Sequence, residues 1–413
     1  MSVFAGPSIS TNGLVFHYDM SNTQKSWVGA PTTNLISDPY ALAGNPSPLA
    51  LSGYEATNTR TTTLPLSDMA NISSTWFVST KTTSTNGRVF FLSVGSLSTM
   101  TDYSFSMYAY TQDANISRII CSTDNSVISP IKTELGYNIS NRGTIQRINC
   151  VFTSTNGGQS IGVRVGNADP VGSTFYFTGI QVESQSFPTP IVNGTRSTTS
   201  SVIDLTRNNV ITATSLTYLS SGTFSFNGSS DFLRPNITHS YLSSSSLEVW
   251  FRSTSHGGAG VKKTIFGYSH NEGFSYPTIG SIYLENNNLS ASVITASQVY
   301  RTVTAASTIS TSTWYHAVLN KDTINGTLNL YLNGVLSGTQ TFDPVSYGQW
   351  TTTGTFIGVN VLDIGKSTNN SVGQGWSTAY FSGSIPVAKV YSRVLTDAEI
   401  QSNFNATRSR FGL

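Results

Sequence analysis

Charge is scarce in this chain. Asp, Glu, Lys and Arg supply 10% of its 413 residues, against about 25% in an average soluble protein. The few charges nearly cancel, at a net +2, which argues against a nucleic-acid role, since that needs a concentrated basic patch. Lys262-Lys263 is the one conspicuous basic pair, and it reads as a solvated loop. Cysteine is scarcer still. Two residues, Cys121 and Cys150, cannot make a disulfide framework. Cys150 alternates with Ile148 and Phe152 and so reads as a small apolar core residue; pairing with Cys121 stays open. No apolar run approaches the ~18 residues that cross a bilayer. The start, Met1-Ser-Val-Phe-Ala-Gly-Pro, shows no basic stretch followed by an apolar one. The expectation is a protein made in the cytoplasm and not inserted in a membrane.

Catalytic constellations are also missing from the pattern. The histidines at 17, 239, 256, 270 and 316 include no H-x-x-x-H pair, so no zinc site is expected. No phosphate-cradling glycine loop appears. Glycoside hydrolysis needs two carboxylates about 5–10 Å apart. Glu248 shares its strand face with Trp250 and Arg252 rather than a second acid, and reads as a solvent-side residue. Glu183, which follows Gln181 by two, reads as structural, and His316 as a core or edge histidine.

What fills the gap is Ser, Thr, Asn and Gly with 19 Tyr and 21 Phe. Hydroxyl and amide side chains divert hydrogen bonds to the local backbone and disfavour helix, while the aromatics suit half-buried strands. Period-two alternation follows. In Tyr103-Ser-Phe-Ser-Met-Tyr-Ala-Tyr110, one face collects Tyr103, Phe105, Met107 and Ala109, and the other Ser104, Ser106, Tyr108 and Tyr110. Leu247-Glu-Val-Trp-Phe251 and Leu328-Asn-Leu-Tyr-Leu332 read the same way, the latter closing on the hairpin signal Asn333-Gly334. In Phe175-Tyr-Phe-Thr-Gly-Ile-Gln-Val182 the apolar phase slips at Gly179, which predicts a bulge. One helix is expected, at the C-terminus. Thr396-Asp-Ala-Glu399 spells a capping box, with Leu395 and Ile400 placed as a staple.

From about Val202 the order of motifs resembles the concanavalin A-like, laminin-G-type jelly roll. Phe224-Ser-Phe-Asn-Gly-Ser-Ser-Asp-Phe232, Thr313-Trp-Tyr-His-Ala-Val318 and Leu330-Tyr-Leu-Asn-Gly334 carry the likeness. So does the ending Val390-Tyr-Ser-Arg-Val-Leu-Thr-Asp-Ala-Glu-Ile400, which is similar to that of bacteriophage virion proteins bearing this domain. Gly13–Asp19 fits the opening strand of such proteins. It would pair with the C-terminal sandwich and make the intervening segment an insertion. The insert resembles a carbohydrate-binding-module sandwich. It opens on Thr33-Asn-Leu-Ile36 and closes on Gly179-Ile-Gln-Val-Glu183, Phe187-Pro-Thr-Pro190 and Gly194-Thr-Arg196.

The resulting expectation is an all-β protein of two jelly-roll sandwiches, one inserted into the other, with a short C-terminal helix. The outer domain comprises 1–32 and 196–413, and the insert 33–195. The resemblance implies a non-enzymatic phage virion surface protein, on tail or baseplate or decorating the capsid. Its partners would be other virion proteins, further copies of itself (a trimer is favoured) and host-surface polysaccharide, with no nucleic acid. A soluble glycan-binding lectin is the alternative, and a polysaccharide hydrolase or lyase using Glu248 a third reading. Pyranose faces stack on exposed rings, and the insert offers Trp76, Tyr108 and Tyr110 for this. No cofactor or metal is expected, although laminin-G-type domains often hold Ca²⁺ at a rim. Asp231, Asp343 and Asp363 lie in turns that could contribute.

Overall fold

A computed structural model describes residues 8–20, 26, 28–36, 56–83, 87–123, 131–154, 158–218, 224–237, 243–270, 280–294, 300–343, 360–367 and 380–413. The chain divides into two compact units, Met1–Ala30 with Thr198–Leu413, and Pro31–Ser197. Both are antiparallel sandwiches, and strand is the dominant element.

In the larger unit an eight-stranded sheet packs on a seven-stranded one. The first sheet runs Thr217–Tyr218, Phe224–Asn227, Ser382–Tyr391, Ser245–Ser253, Tyr315–Asp322, Thr327–Leu332, Val335–Thr341. The opening strand Leu14–Asp19 joins it beside Ser382–Tyr391, as the sequence implied. The second sheet runs Ile211–Thr214, Phe232–Pro235, Asn360–Ile364, Lys263–His270, Gly280–Glu285, Asn288–Ile294, Tyr300–Thr308. Alternation sends Leu247, Val249 and Phe251 into the core between the sheets, where they meet Ile282, Leu284 and Leu362. The Asn333-Gly334 hairpin forms with φ of 51° and 82°, the pair of positive angles that a tight two-residue turn demands.

The helix Asp397–Thr407 lies on the outer face of the eight-stranded sheet. Its capping box is complete: Glu399 N–H donates to Thr396 Oγ1 and Thr396 N–H to Glu399 Oε2. Leu395 and Ile400 are buried together as the staple. Ile400, Asn403, Phe404 and Thr407 form the buried face at helical spacing. Gly334 sits against Phe404, so the hairpin turn also seats the helix.

The smaller unit pairs a six-stranded sheet with a three-stranded one. The larger sheet runs Ala56–Thr61, Trp76–Lys81, Thr174–Glu183, Asp102–Tyr110, Gln146–Thr153, Thr133–Leu135; the smaller runs Arg88–Ser96, Gly158–Val165, Ile119–Thr123. The register between Thr174–Glu183 and Asp102–Tyr110 shifts between Thr178 and Gln181, with Gly179 at φ 63°. The bulge read from the phase slip is there, and it returns Phe177, Ile180 and Val182 to one core.

Candidate functional site

The frame motif of the insert resolves into one hydrogen-bond network. Asn34 Nδ2 donates to the carbonyls of Ile180 and Val192, and its Oδ1 accepts from Val182 and Ile36 N–H. Glu183 accepts from Gln181 Nε2 (2.8 Å), Thr189 N–H (2.7 Å) and Thr189 Oγ1 (2.7 Å). Arg196 reaches Thr189 Oγ1 and the Pro190 carbonyl. Glu183 and Gln181 are fully buried and satisfied, so Glu183 is structural, as its place in the sequence suggested. The network fastens both ends of the insert to the strand Thr174–Glu183.

That strand carries the candidate site on its outer face. Alternation places Trp76, Tyr108, Tyr110 and Tyr176 on the side of the six-stranded sheet away from the core, and the four rings do meet in one cluster. Two of them are not the exposed platform that the sequence suggested. Trp76 is 0% and Tyr110 1% exposed. The chain between the first two strands folds back over them and brings Leu64, Leu66, Met69 and Ile72 onto the rings. Its 3-10 turn Ser67–Asn71 presents Met69, whose carbonyl accepts from Trp76 Nε1 at 3.2 Å, and the Ser73 carbonyl accepts at 3.1 Å. Burial raises the Tyr110 phenol above its usual range and leaves its hydroxyl without a partner.

Tyr108 and Tyr176 remain partly exposed, together with Ile145, Val78 and Arg147. Tyr176 lies against Tyr110 with centroids 5.9 Å apart. The Arg147 guanidinium stands 5.9 Å from the Tyr108 ring centroid and donates to Ser106 Oγ (2.8 Å) and to the Thr189 carbonyl. Tyr108 faces Thr178 on one neighbouring strand and Arg147 on the other. The result is a rigid strip with ring faces for apolar contact and a guanidinium at its edge for directed hydrogen bonds. Sequence reasoning missed Tyr176 and Arg147. The signal existed: Tyr176 lies between two core phenylalanines, so alternation already turned it outward.

Loops at the end of this unit are clamped by side-chain cations. Lys81 Nζ donates to the carbonyls of Gly166 (2.9 Å) and Asn167 (2.7 Å). Arg142 donates to the carbonyls of Asp113, Ile139 and Ile116.

In the larger unit Glu248 is not a solvent-side residue. Glu248, Lys389 and His316 are all 0% exposed, roofed by the C-terminal helix. Lys389 Nζ lies 2.5 Å from Glu248 Oε1, His316 Nε2 3.2 Å from the same oxygen, and Asn403 Nδ2 of the helix 2.6 Å from Oε2. Burial would raise the Glu248 carboxyl, but Lys389 and His316 hold it well below the usual range. Burial pushes the His316 imidazole below its ordinary value; its Nε2 faces Glu248, while Nδ1 has no partner. Trp250, on the same face, stacks 4.3 Å from Phe411 and donates Nε1 to Thr407. Alternation put these residues on the correct face, and the helix converts that face into a second core. Enclosed on every side, Glu248 anchors the helix and has no access to a substrate.

The other sheet has a polar outer row. Strand register lines up Asp363, Gly267, Ser281, Ser292 and Thr302 across five strands. Arg234 pairs with Asp363 through two contacts of 2.8 and 3.0 Å. Tyr283 bonds Ser292 at 2.9 Å, and Lys262 stands 5.8 Å over its ring, so this lysine is part-buried rather than in a solvated loop. The row runs from exposed Thr302 to buried Ser281, whose hydroxyl has no partner. Of the acids named for calcium, Asp363 is held by Arg234, Asp231 accepts from Asn227 N–H in its turn, and Asp343 is exposed.

Residues 226–401 match the family described as the concanavalin A-like lectin/glucanases superfamily. No curated protein matches the chain. Among solved structures, the carbohydrate-binding module CBM40 of Ruminococcus gnavus IT-sialidase, bound to α2,3-sialyllactose, is 20% identical, over 39% of this chain and 81% of that one, with a TM-score of 0.32. The binding domain of botulinum neurotoxin serotype D is 15% identical, over 50% of this chain and 49% of that one, at 0.36. The heptameric SAP-like pentraxin of Limulus polyphemus is 16% identical, over 46% and 80%, at 0.32.

Proposed function

We propose that this protein is a non-enzymatic glycan-binding component on the outside of a bacteriophage particle, on tail or baseplate or decorating the capsid. The observation that carries the glycan reading is the strip of Tyr108 and Tyr176 beside Arg147, on strands whose register and closing network hold it rigid. Rigid aromatic faces lose little conformational entropy when a sugar ring stacks on them, and a pre-placed guanidinium orients the hydroxyls or carboxylate of that sugar. The family matched by residues 226–401 names both lectins and glucanases. Burial of Glu248 under the helix favours binding over hydrolysis. The particle reading rests on the ending Val390–Ile400 and on the opening strand Gly13–Asp19. A surface of Ser, Thr and Asn also suits close packing of copies, a trimer being the favoured assembly.

Two measurements test these readings separately. The purified chain is screened against immobilised bacterial surface polysaccharides, alongside Tyr176→Ala. Binding by the parent that falls at least tenfold in the variant, at unchanged melting temperature, supports the site. Equal binding by both removes it. Immunogold labelling with antibody to the insert then locates the protein on source-virus particles. Label on tail or head supports the particle reading, whereas none on intact or disrupted particles leaves a soluble lectin.

A further inference from the structure

We infer that Arg252 and Arg408, each set against one end of an aromatic stack on the larger unit, form a binding site for a polyuronate, an acidic polysaccharide whose carboxylates recur along its length. This site is separate from the strip on the insert and does not rest on it. Trp250 and Arg252 project from the same face of Ser245–Ser253, and Arg252 is the one exposed residue of that strand. Four rings follow one another in contact. Phe404 of the helix stacks on Trp250 at 5.7 Å, Trp250 on Phe411 at 4.3 Å, and Phe411 meets Trp314 at 4.9 Å. The Arg252 guanidinium stands 4.7 Å over the Trp314 ring, and that of Arg408 5.8 Å from the Phe404 ring. Arg408 opens the 3-10 turn Arg408–Phe411 that delivers Phe411 to the stack. Trp250 and Phe404 are buried and Trp250 Nε1 donates to Thr407, so the stack is fixed, while Trp314 stays half-exposed.

These two cations differ from their neighbours in having no counter-charge. In a chain so poor in charge, Arg234, Arg393, Arg410 and Lys389 each hold a carboxylate. Among the described residues Arg252 and Arg408 have neither a carboxylate nor a hydrogen-bond acceptor, and both are exposed. A guanidinium lying against a ring keeps N–H groups turned outward and has fewer rotamers to lose when a carboxylate docks on them. One exposed ion pair contributes little, so a single carboxylate is held weakly. A polymer that presents several engages both guanidiniums at once. The surroundings favour a sugar over an acidic peptide. Thr311 and Thr313 are exposed in the turn before Trp314, and Ser312 N–H on the Ser253 carbonyl (2.8 Å) ties that turn to the strand carrying Arg252. Hydroxyls beside a half-exposed indole match the alternating C–H and O–H surface of a pyranose.

The test titrates the full-length protein calorimetrically with an oligogalacturonate of about ten residues in about 20 mM salt, where exposed charges are little screened. Every chain carries Tyr176→Ala, which disables the strip on the insert. The oligomer is expected to bind, with galacturonate monomer and the carboxyl-reduced oligomer at least tenfold weaker. Arg252→Gln and Arg408→Gln should each weaken the oligomer at least fivefold at unchanged melting temperature. Arg301→Gln, which removes an exposed charge from the seven-stranded sheet, should leave the affinity as it was. The inference is overturned if the oligomer does not bind, if both glutamine variants of the site bind it as before, or if Arg301→Gln weakens it as much as they do. Equal binding of polyglutamate of matched length would also overturn it, leaving charge alone as the cause. The comparison of the oligomer with its reduced form needs neither arginine variant, so one that fails to fold leaves the result decisive.

Discussion

Glu248→Ala should destabilise the larger unit by about 4 kcal/mol. Glu248 and Lys389 form an ion pair at 2.5 Å with both side chains fully buried. Removing one member leaves an ammonium in the protein interior without its counter-charge, which costs about 3–5 kcal/mol. The donors on His316 and Asn403 also lose their acceptor, and an unsatisfied buried donor costs about 1–3 kcal/mol, not additively with the first loss. Urea unfolding at pH 7 measures the change. Trp76 is the only tryptophan of the insert, against Trp250 and Trp314 beside the helix, so far-UV dichroism and fluorescence together separate the two units. Replacing both partners by methionine should cost clearly less than the sum of the single changes, because an apolar pair leaves no orphan charge. Polysaccharide binding through the insert should not change. A loss below about 1 kcal/mol for Glu248→Ala, or strict additivity in the double variant, would refute a helix anchored by this pair.

Other outcomes follow from the same structure. Burial first, then Lys389, lowers His17 to about 4. Its folded value thus lies below that of the unfolded chain, near 6.5. Stability is complete above about pH 6.5 and falls as the pH drops toward 4, by about 2–3 kcal/mol; His17→Gln should flatten that slope in a melting series. Burial lowers Lys321 to about 7. Stability attributable to this amine is thus greatest above its unfolded value near 10.4 and declines as the pH falls toward 7. Lys321→Met should accordingly gain about 2 kcal/mol at pH 7, and a loss in chemical denaturation would contradict this. Thr396→Ala removes the N-cap and should cost about 1 kcal/mol by the same assay. Chelation with EDTA should leave the melting of the insert unchanged, because Lys81 and Arg142 already clamp its loops; a fall of several degrees would point to a metal.

Much of the architecture was legible because it is local. Alternation marked the strands, the slip at Gly179 marked the bulge, Asn333-Gly334 marked a hairpin, and Thr396 with Glu399 marked the helix start. Each depends on residues within a few positions of one another. Alternation separates two faces of a strand but is silent on what covers the second one. Trp76 and Tyr110 fall on the outer face as expected, yet Met69 and its neighbours bury them. Glu248 and Trp250 fall on theirs, yet a helix about 150 residues downstream closes over them. A period of two carries no information about a third layer, so exposure was misjudged where such a layer exists. Tyr108 is only partly covered, and its partial exposure is what remains of the expected platform.

The central claim is tested most directly by affinity electrophoresis of the full-length chain through gels containing the polysaccharides that it binds, beside Tyr108→Ala, Tyr176→Ala and a control, Val335→Ser, on the exposed hairpin of the other unit. Retardation of the parent and of Val335→Ser, with a loss of at least tenfold in affinity for each tyrosine variant, is the predicted result. A tenfold loss corresponds to about 1.4 kcal/mol per stacked ring. Retardation that is unchanged in both tyrosine variants while they stay folded would contradict the claim and move recognition away from this face of the insert.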